Sequence, residues 1–489
     1  MSRDEWRKGA LLLLALEVSA LLVWLPSILW PFTVSWDENT FFLVAQRLLH
    51  GELPYTTTFE NKSPLGLIFQ TGAMAIVGPS PSALRFVAAL VVGLTAFLLA
   101  VSAPSLRNAR AGYLVGVLFV LVWGTLTNGL VWMSEVNVVL LFAVAWYVTM
   151  HKWKASAARL VCGGLLIGLL PLFRVNWALV AIVLFISVLA RERSKRAFAL
   201  LVAGAITPTV ITVTTYSASG NLPRLWAGMV ELPRGLGDTE GWRIPTLSDD
   251  QLPLYWLVFL MLVTALVLMS IQLRRIRNAE YQGADLALLA AAWALTLGAW
   301  VQPYDFPYQT LQFLPILALA VGRLVQVSRG YESVLTIPLA LAVVSVVFVF
   351  WGTVLTSFDW RNDARDESDV VAYVSGIQGI ENKTLWVPDQ NNFLYWRLDK
   401  KPIIPLASQP YLVWEPGAQR AALGFDMKEG DASKYVFDMR PDIIVSDADY
   451  AGSFYGSKEA GDVWRERLQS DYSLKGVVHG RAVWERVTK

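Results

Sequence analysis

Two carboxylates stand side by side at Asp37-Glu38, directly after the first long apolar run of the chain. Acidic groups at the mouth of a membrane helix are costly unless water or a partner receives them. The same polar segment continues to Glu60-Asn61-Lys62-Ser63-Pro64-Leu65, so the carboxylate pair and a lysine share one loop. Glu135 opens another apolar run, and Arg85 and Arg174 are cations beside others. Carboxylates close to cations suit attack by a hydroxyl on a carbon whose leaving group is a phosphate. The carboxylate removes the hydroxyl proton, an effect of roughly 10²–10⁴-fold. The cations stabilise charge on the departing phosphate. Asp37 is the candidate base, with Glu38 and Glu135 in support, and Lys62, Arg85 and Arg174 are the candidate phosphate ligands. Taken singly, a solvated loop explains Asp37-Glu38, a helix-end anchor explains Arg85 and a helix cap explains Glu135. Arg174 resists such a reading, because Pro171-Leu172-Phe173-Arg174-Val175-Asn176-Trp177 interrupts an otherwise apolar region.

The elements that would carry these residues follow from composition. Charged residues are only 16% of the 489 and hydrophobic ones 55%, against about 25% charged in soluble domains. Long apolar runs on that background indicate a polytopic membrane protein, and 21 tryptophans fit aromatic belts at its two interfaces. Eleven apolar runs are read as spans: 11–30, 83–103, 111–130, 136–148, 160–173, 177–190, 198–216, 254–273, 286–301, 310–327 and 334–356. The first is too long for a signal-peptide core and more spans follow, so it is a retained helix. Glu17 lies inside it. The runs 160–173 and 177–190 are short and read as a tight hairpin, because one continuous span would put Arg174 at mid-bilayer.

Charge along the chain tests the count. Basic clusters occur at Arg107/Arg110, Lys152/Lys154, Arg191/Arg193/Lys195/Arg196, Arg274/Arg275/Arg277 and Arg323/Arg329. With eleven spans and a cytoplasmic N-terminus, all five fall on the cytoplasmic side, as the positive-inside rule requires. Asp37, Glu38, Glu60 and Glu135 then face outward. Between the first two spans, 39–50 has helical spacing with Phe42, Ala45, Leu48 and Leu49 on one side, which predicts an amphipathic interfacial helix. The apolar stretch 64–78 is too short to span and reads as a juxtamembrane or re-entrant helix.

Composition changes at about residue 358. The expected division is a transmembrane catalytic domain over 1–357, with outer-loop helices in 32–80, and a soluble outward-facing α/β domain over 358–489. In that second part 369–377 is helical in pattern, 384–387 and 442–445 read as buried strands, and 476–487 as a hairpin turning at His479-Gly480. Cys162 is the one cysteine, so an intramolecular disulfide is impossible. The outward part must fold on its core alone.

The three histidines, His50, His151 and His479, fall on different segments, so no histidine-based metal site is visible. No phosphate-binding glycine loop, dinucleotide fingerprint, nucleophile elbow or zinc signature occurs, so a nucleotide-sugar donor is not indicated.

At this point the chain resembles a family. Asp37-Glu38, then Ala45-Gln46-Arg47-Leu48-Leu49-His50-Gly51-Glu52-Leu53-Pro54-Tyr55, then Asn61-Lys62-Ser63-Pro64-Leu65 is similar to the first outer loop of GT-C membrane glycosyltransferases. The nearest in pattern are the lipid A aminoarabinose transferases and the protein O-mannosyltransferases. The likeness continues at Leu84-Arg85-Phe86, Ser134-Glu135, 168–174 and 307–315. It departs at Ser63, where proline is usual, at Arg174, where lysine is usual, and at Pro307-Tyr308, where the pair His-Tyr is common. The resemblance implies a polytopic α-helical membrane protein of GT-C type, with about 11 transmembrane helices and a small C-terminal α/β domain. It implies transfer of a sugar from a polyprenyl-phosphate donor to a lipid, glycan or protein hydroxyl at the outer face of the plasma (inner) membrane. The C-terminal domain would then be periplasmic or extracellular. It adds Tyr55 and Tyr308 to Lys62, Arg85 and Arg174 as substrate-binding residues. Members differ in metal dependence, so a divalent metal is the one cofactor left open. Membrane lipid is a partner and nucleic acid is not. The alternatives are a transporter or flippase of lipid-linked sugars, which calls for inverted repeats, and an inactive scaffold whose C-terminal domain binds a glycan.

Overall fold

The computed structural model describes residues 3–33, 36–60, 62–102, 109–126, 129–150, 156–234, 279–300, 311–327, 360–388, 392–405, 416–424, 431–447 and 458–487. The chain divides into two compact units. One contains 1–29, 85–212 and 243–357, and the other 30–84, 213–242 and 358–489.

The helices of the first unit are α1 (Arg3–Leu29), α4 (Pro81–Ser102, from Arg85 on), α5 (Ala109–Thr125), α6 (Ser134–Met150), α7 (Ala157–Phe173), α8 (Ala178–Glu192), most of α9 (Lys195–Ala218), α11 (Ala279–Trp300) and α12 (Leu314–Val327). Four described segments are long and apolar enough to cross a membrane: Glu5–Leu29, Pro81–Ser102, Val175–Glu192 and Lys195–Ala218. Six further apolar helices are shorter. The runs 254–273 and 334–356 lie outside the described residues. The outward faces of these helices are apolar: Leu11, Leu14, Val18, Leu22, Leu25 and Leu29 form an exposed stripe on α1. Polar groups turn inward instead, the arrangement that a lipid surround demands.

Small residues set the closest crossing. A Cβ added at Gly164 would stand 2.3 Å from the Leu201 carbonyl, at Gly168 2.0 Å from that of Ala205, and at Gly204 2.3 Å from that of Val161. Helices α7 and α9 therefore touch backbone to backbone, the small-xxx-small packing used where no hydrophobic force drives helices together. Helix α7 ends at Arg174, whose extended backbone (φ −154°, ψ 125°) stops the helix, and a 3-10 turn, Val175–Trp177, leads into α8. The expected break at this point is present.

The second unit holds α2 (Trp36–Leu49), α3 (Ile68–Val77), the short α10 (Leu222–Trp226) followed by a π-helical turn, Ala227–Glu231, and the C-terminal elements. These are α13 (Trp360–Ser375), β1 (Leu385–Trp386), α14 (Phe393–Arg397), α15 (Pro416–Leu423), α16 (Asp431–Asp438), β2 (Ile443–Asp447), α17 (Lys458–Asp471), β3 (Tyr472–Val478) and β4 (Arg481–Arg486). The sheet order is β1-β2-β4-β3, with β1 parallel to β2 and the other pairs antiparallel. Both expected buried strands and the hairpin turning at His479-Gly480 are present; the expected helix starts earlier, at Trp360. The core is aromatic: Trp386 and Phe437 each lie with ring centroids 5.1 Å from Trp464, and Tyr472 is 5.8 Å from Phe437.

Helix α2 departs from expectation. An interfacial helix would leave its polar side open, yet every residue from Glu38 to Arg47 is buried. The polar side is covered by α14 and its approach. Trp396 donates from Nε1 to Asn39 at 3.0 Å, Asn392 donates to Thr40 at 2.7 Å, and Gln46 donates to the Trp396 carbonyl at 2.8 Å. Phe42 packs edge-on to Trp396 at 5.2 Å. The periodicity of 39–50 is real, but a polar face is buried at low cost when each group finds a hydrogen-bond partner. Among the residues of α2 whose burial is described, only the C-terminal Leu49 is exposed, at 42%.

Candidate active site

Asp37 and Glu38 form the first turn of α2, where the helix dipole favours negative charge. They do not share an environment. Glu38 is 2% exposed, whereas the Asp37 side chain is 31% exposed. Lys62 approaches from the loop that links α2 to α3. Its Nζ stands 3.9 Å from Asp37 Oδ2 and 3.9 Å from Glu60 Oε1, and lies 5.4 Å from the centre of the Phe41 ring. Lys62 and Glu60 are almost wholly buried, so Asp37 is the accessible carboxylate of this cluster.

Tyr55 holds the loop. Its backbone is left-handed, at φ +66°, unusual for a bulky residue. Its hydroxyl donates to the Lys62 carbonyl. The ring fills the notch at Gly228 in the π-helical turn, where an added Cβ would lie 2.4 Å from it, and faces Phe59 at 5.5 Å. Tyr216 donates to the neighbouring Pro54 carbonyl at 2.9 Å. Tyr55 is 1% exposed, and burial, with Tyr216 and Glu60 nearby, pushes its hydroxyl well above the usual tyrosine range. Arg47 pairs with Asp399, and Lys401 with Glu52. Burial works against charge on Glu52. Hydrogen bonds from Lys401 and Thr57, with the charges of Lys401 and Arg47, outweigh it and hold that carboxyl below its usual range.

A second cluster lies in the first unit. Glu135, in the first turn of α6, is completely buried and pairs with Arg174. Arg174 Nη1 also donates to Ser134 Oγ at 2.8 Å, and Ser134 donates to Glu135 at 3.2 Å. Behind them Asn176 and Trp177 both donate to Gln312 Oε1, at 2.7 and 2.8 Å. Arg85 is 2% exposed and donates to the Ser27 carbonyl at 3.2 Å, which ties α4 to the end of α1. Tyr308 lies outside the described residues.

The structure therefore joins Asp37, Glu60, Lys62 and Tyr55 in one place, and Glu135 and Arg174 in another. Sequence reasoning missed Ser134, Gln312 and Gly228 as participants. Ser134 was adjacent to a chosen residue. Gln312 and Gly228 left no local signal, because their partners lie 136 and 173 residues away in sequence. Among the described residues no three His, Cys, Asp or Glu side chains converge as a metal cage. Lys62 supplies positive charge between Asp37 and Glu60.

No protein-family model matches the chain, and no curated protein matches it. Solved structures do. ArnT from Cupriavidus metallidurans in the apo state matches with a TM-score of 0.63 at 15% identity, over 97% of each chain. The same protein bound to undecaprenyl phosphate matches with a TM-score of 0.64 at 15% identity, over 100% of this chain and 99% of that one. The oligosaccharyltransferase of Archaeoglobus fulgidus, in complex with zinc and sulfate, matches with a TM-score of 0.51 at 12% identity, over 93% of this chain and 69% of that one. Both proteins are GT-C glycosyltransferases, and the chain has their fold.

Proposed function

We propose that the chain is a GT-C glycosyltransferase that moves a sugar from a polyprenyl-phosphate donor to a hydroxyl acceptor at the outer face of the membrane. The observation that carries this reading is the Asp37–Lys62 approach on an ArnT-like fold, one member of which is solved with undecaprenyl phosphate. In the proposed reaction Asp37 takes the proton of the acceptor hydroxyl. The hydroxyl oxygen forms a bond to the anomeric carbon as the bond from that carbon to the phosphate oxygen breaks. The electron pair leaves with the lipid phosphate, and compensating its charge is the role proposed for the candidate cations, Lys62 beside Asp37 in one unit and Arg174 in the other. Asp37 suits the base role because Glu38 and Glu60 are buried while it retains access to an incoming group. Glu135 orients Arg174, and Tyr55 orients Lys62. The contact of Arg85 with the Ser27 carbonyl supports the anchor role over a direct part in catalysis. On this reading the described C-terminal α/β elements belong to the outer side.

Replacing Asp37 by Asn keeps shape and removes basicity. Membrane expression and binding of a polyprenyl-phosphate analogue are expected to stay normal, while transfer falls by roughly 10²-fold or more. Near-wild-type turnover in Asp37→Asn would remove Asp37 from the mechanism.

A further inference from the structure

Gln312 Oε1 accepts two hydrogen bonds, from Asn176 Nδ2 at 2.7 Å and from Trp177 Nε1 at 2.8 Å. An indole N–H only donates, so Trp177 fixes which end of the Gln312 amide faces it. With that oxygen fixed, Asn176 must present its own Nδ2. What remains of the two amides is one acceptor, Asn176 Oδ1, and one donor, Gln312 Nε2. Among the described residues neither atom has a hydrogen-bond partner. Both side chains are more than nine-tenths buried, at 8% and 2% exposed. Buried polar atoms are nearly always paired, so two orphans on one amide pair require an explanation.

A sugar hydroxyl is one group that can donate to one atom and accept from the other. Asn176 follows Arg174 by two residues, in the 3-10 turn Val175–Trp177, and Gln312 sits in a second 3-10 turn at 311–313. Phe142, 5.2 Å from Trp177, backs the indole that sets the whole arrangement. We propose that Asn176 and Gln312 recognise a hydroxyl of the sugar carried by the lipid-phosphate donor. The assignment rests on the reading of Arg174 as a phosphate ligand. Solvent reaches neither orphan atom, so the sugar enters by parting the two turns. The pair then reports the sugar and leaves the phosphate to Arg174.

Gln312→Glu keeps an oxygen for Trp177 and Asn176 and replaces the orphan donor by an acceptor. Asn176→Ala removes the orphan acceptor and leaves the Trp177 bond in place. Full-length protein, purified in detergent, is titrated with polyprenyl phosphate and with its glucosyl, mannosyl and arabinosyl derivatives, and melting temperature is recorded beside each affinity. In the wild type one glycosylated lipid should bind more tightly than the bare lipid. Both variants should lose about tenfold or more for that lipid and keep their affinity for bare polyprenyl phosphate. Equal affinities in wild type and variants, with only a change in melting temperature, would mean a structural water only and overturn the proposal. A wild type that binds no glycosylated lipid more tightly than the bare one overturns it too. Failure of the wild type to bind bare polyprenyl phosphate is a different result, and it removes the donor reading itself.

Discussion

The hydroxyl of Tyr55 donates to the backbone carbonyl of Lys62, so an aromatic ring wedged at Gly228 holds in place the segment that brings a lysine to Asp37. The pair lies seven positions apart in sequence, and Tyr55 has a left-handed backbone. The notch at Gly228 accepts that ring because there is no Cβ to meet it. Tyr55 thus acts on Lys62 and not on the substrate directly.

Tyr55→Phe keeps the ring and deletes the hydroxyl. The lost hydrogen bond costs roughly 0.5–1.5 kcal/mol of stability, a small fall in melting temperature. Affinity for a polyprenyl-phosphate analogue should drop several-fold in the same variant. Gly228→Ala displaces the ring and should lower both further. A Tyr55→Phe protein with unchanged analogue affinity would show that the hydroxyl only packs the loop.

Glu135 and Arg174 neutralise one another, the carboxylate fully buried and the guanidinium nearly so. Removing one partner of a buried pair costs roughly 3–5 kcal/mol, because the other charge is stranded. Arg174→Gln and Glu135→Gln should each lower the melting temperature, and the double variant should recover part of the loss. Phosphate-analogue binding should not recover with it. Arg174→Lys should keep part of the affinity while losing bidentate contact. Full recovery of binding in the double variant would confine Arg174 to a structural role.

Orientation is measurable with an impermeant thiol reagent in a Cys162→Ser background. Single cysteines placed in 235–240 and in the C-terminal elements should react from outside. Those in 191–196 should stay protected until the membrane is opened. The reverse pattern would put the carboxylates of the first loop in the cytosol and end the proposal for an outer-face reaction.

Acid stability should depend on Glu485. Lys383 and Lys475 donate to it at 2.6 and 2.7 Å, and these bonds hold its carboxyl below the usual range. A lowered folded-state pKa means that the contribution is full above the ordinary carboxylate value of about 4.5 and is lost as pH falls through the lowered one. The same bond raises Lys475, so its share is lost only at high pH. Glu485→Gln should destabilise modestly near neutrality and differ less from wild type as pH falls below about 4.5. A constant difference in melting temperature between pH 3 and pH 7 would contradict this.

What the sequence determined alone was periodicity, charge and local punctuation. Apolar runs placed α1, α4, α8 and α9, because a bilayer dictates their length. Arg174 and Asn176 marked the break between α7 and α8, since a charge is excluded from mid-bilayer. Strands β1 and β2 and the turn at His479-Gly480 were legible from short apolar runs and a glycine. The candidate acids and cations were legible as residue types out of place in an apolar chain, and the resemblance to the fold of GT-C enzymes followed from their order.

Tertiary structure alone decided which of those groups meet. The burial of α2 depends on Asn392 and Trp396, more than 340 residues later, covering a face that reads as solvent-exposed. The burial of Glu38 beside the accessible Asp37 is likewise a property of surroundings, since the two residues are chemically alike and adjacent. The pairing of Arg174 with Glu135, and of Asn176 with Gln312, joins residues 39 and 136 positions apart. Hydrogen bonds are short-range and directional. No local pattern encodes which distant partner will satisfy a given group, and only the folded packing of the helices brings those partners within reach.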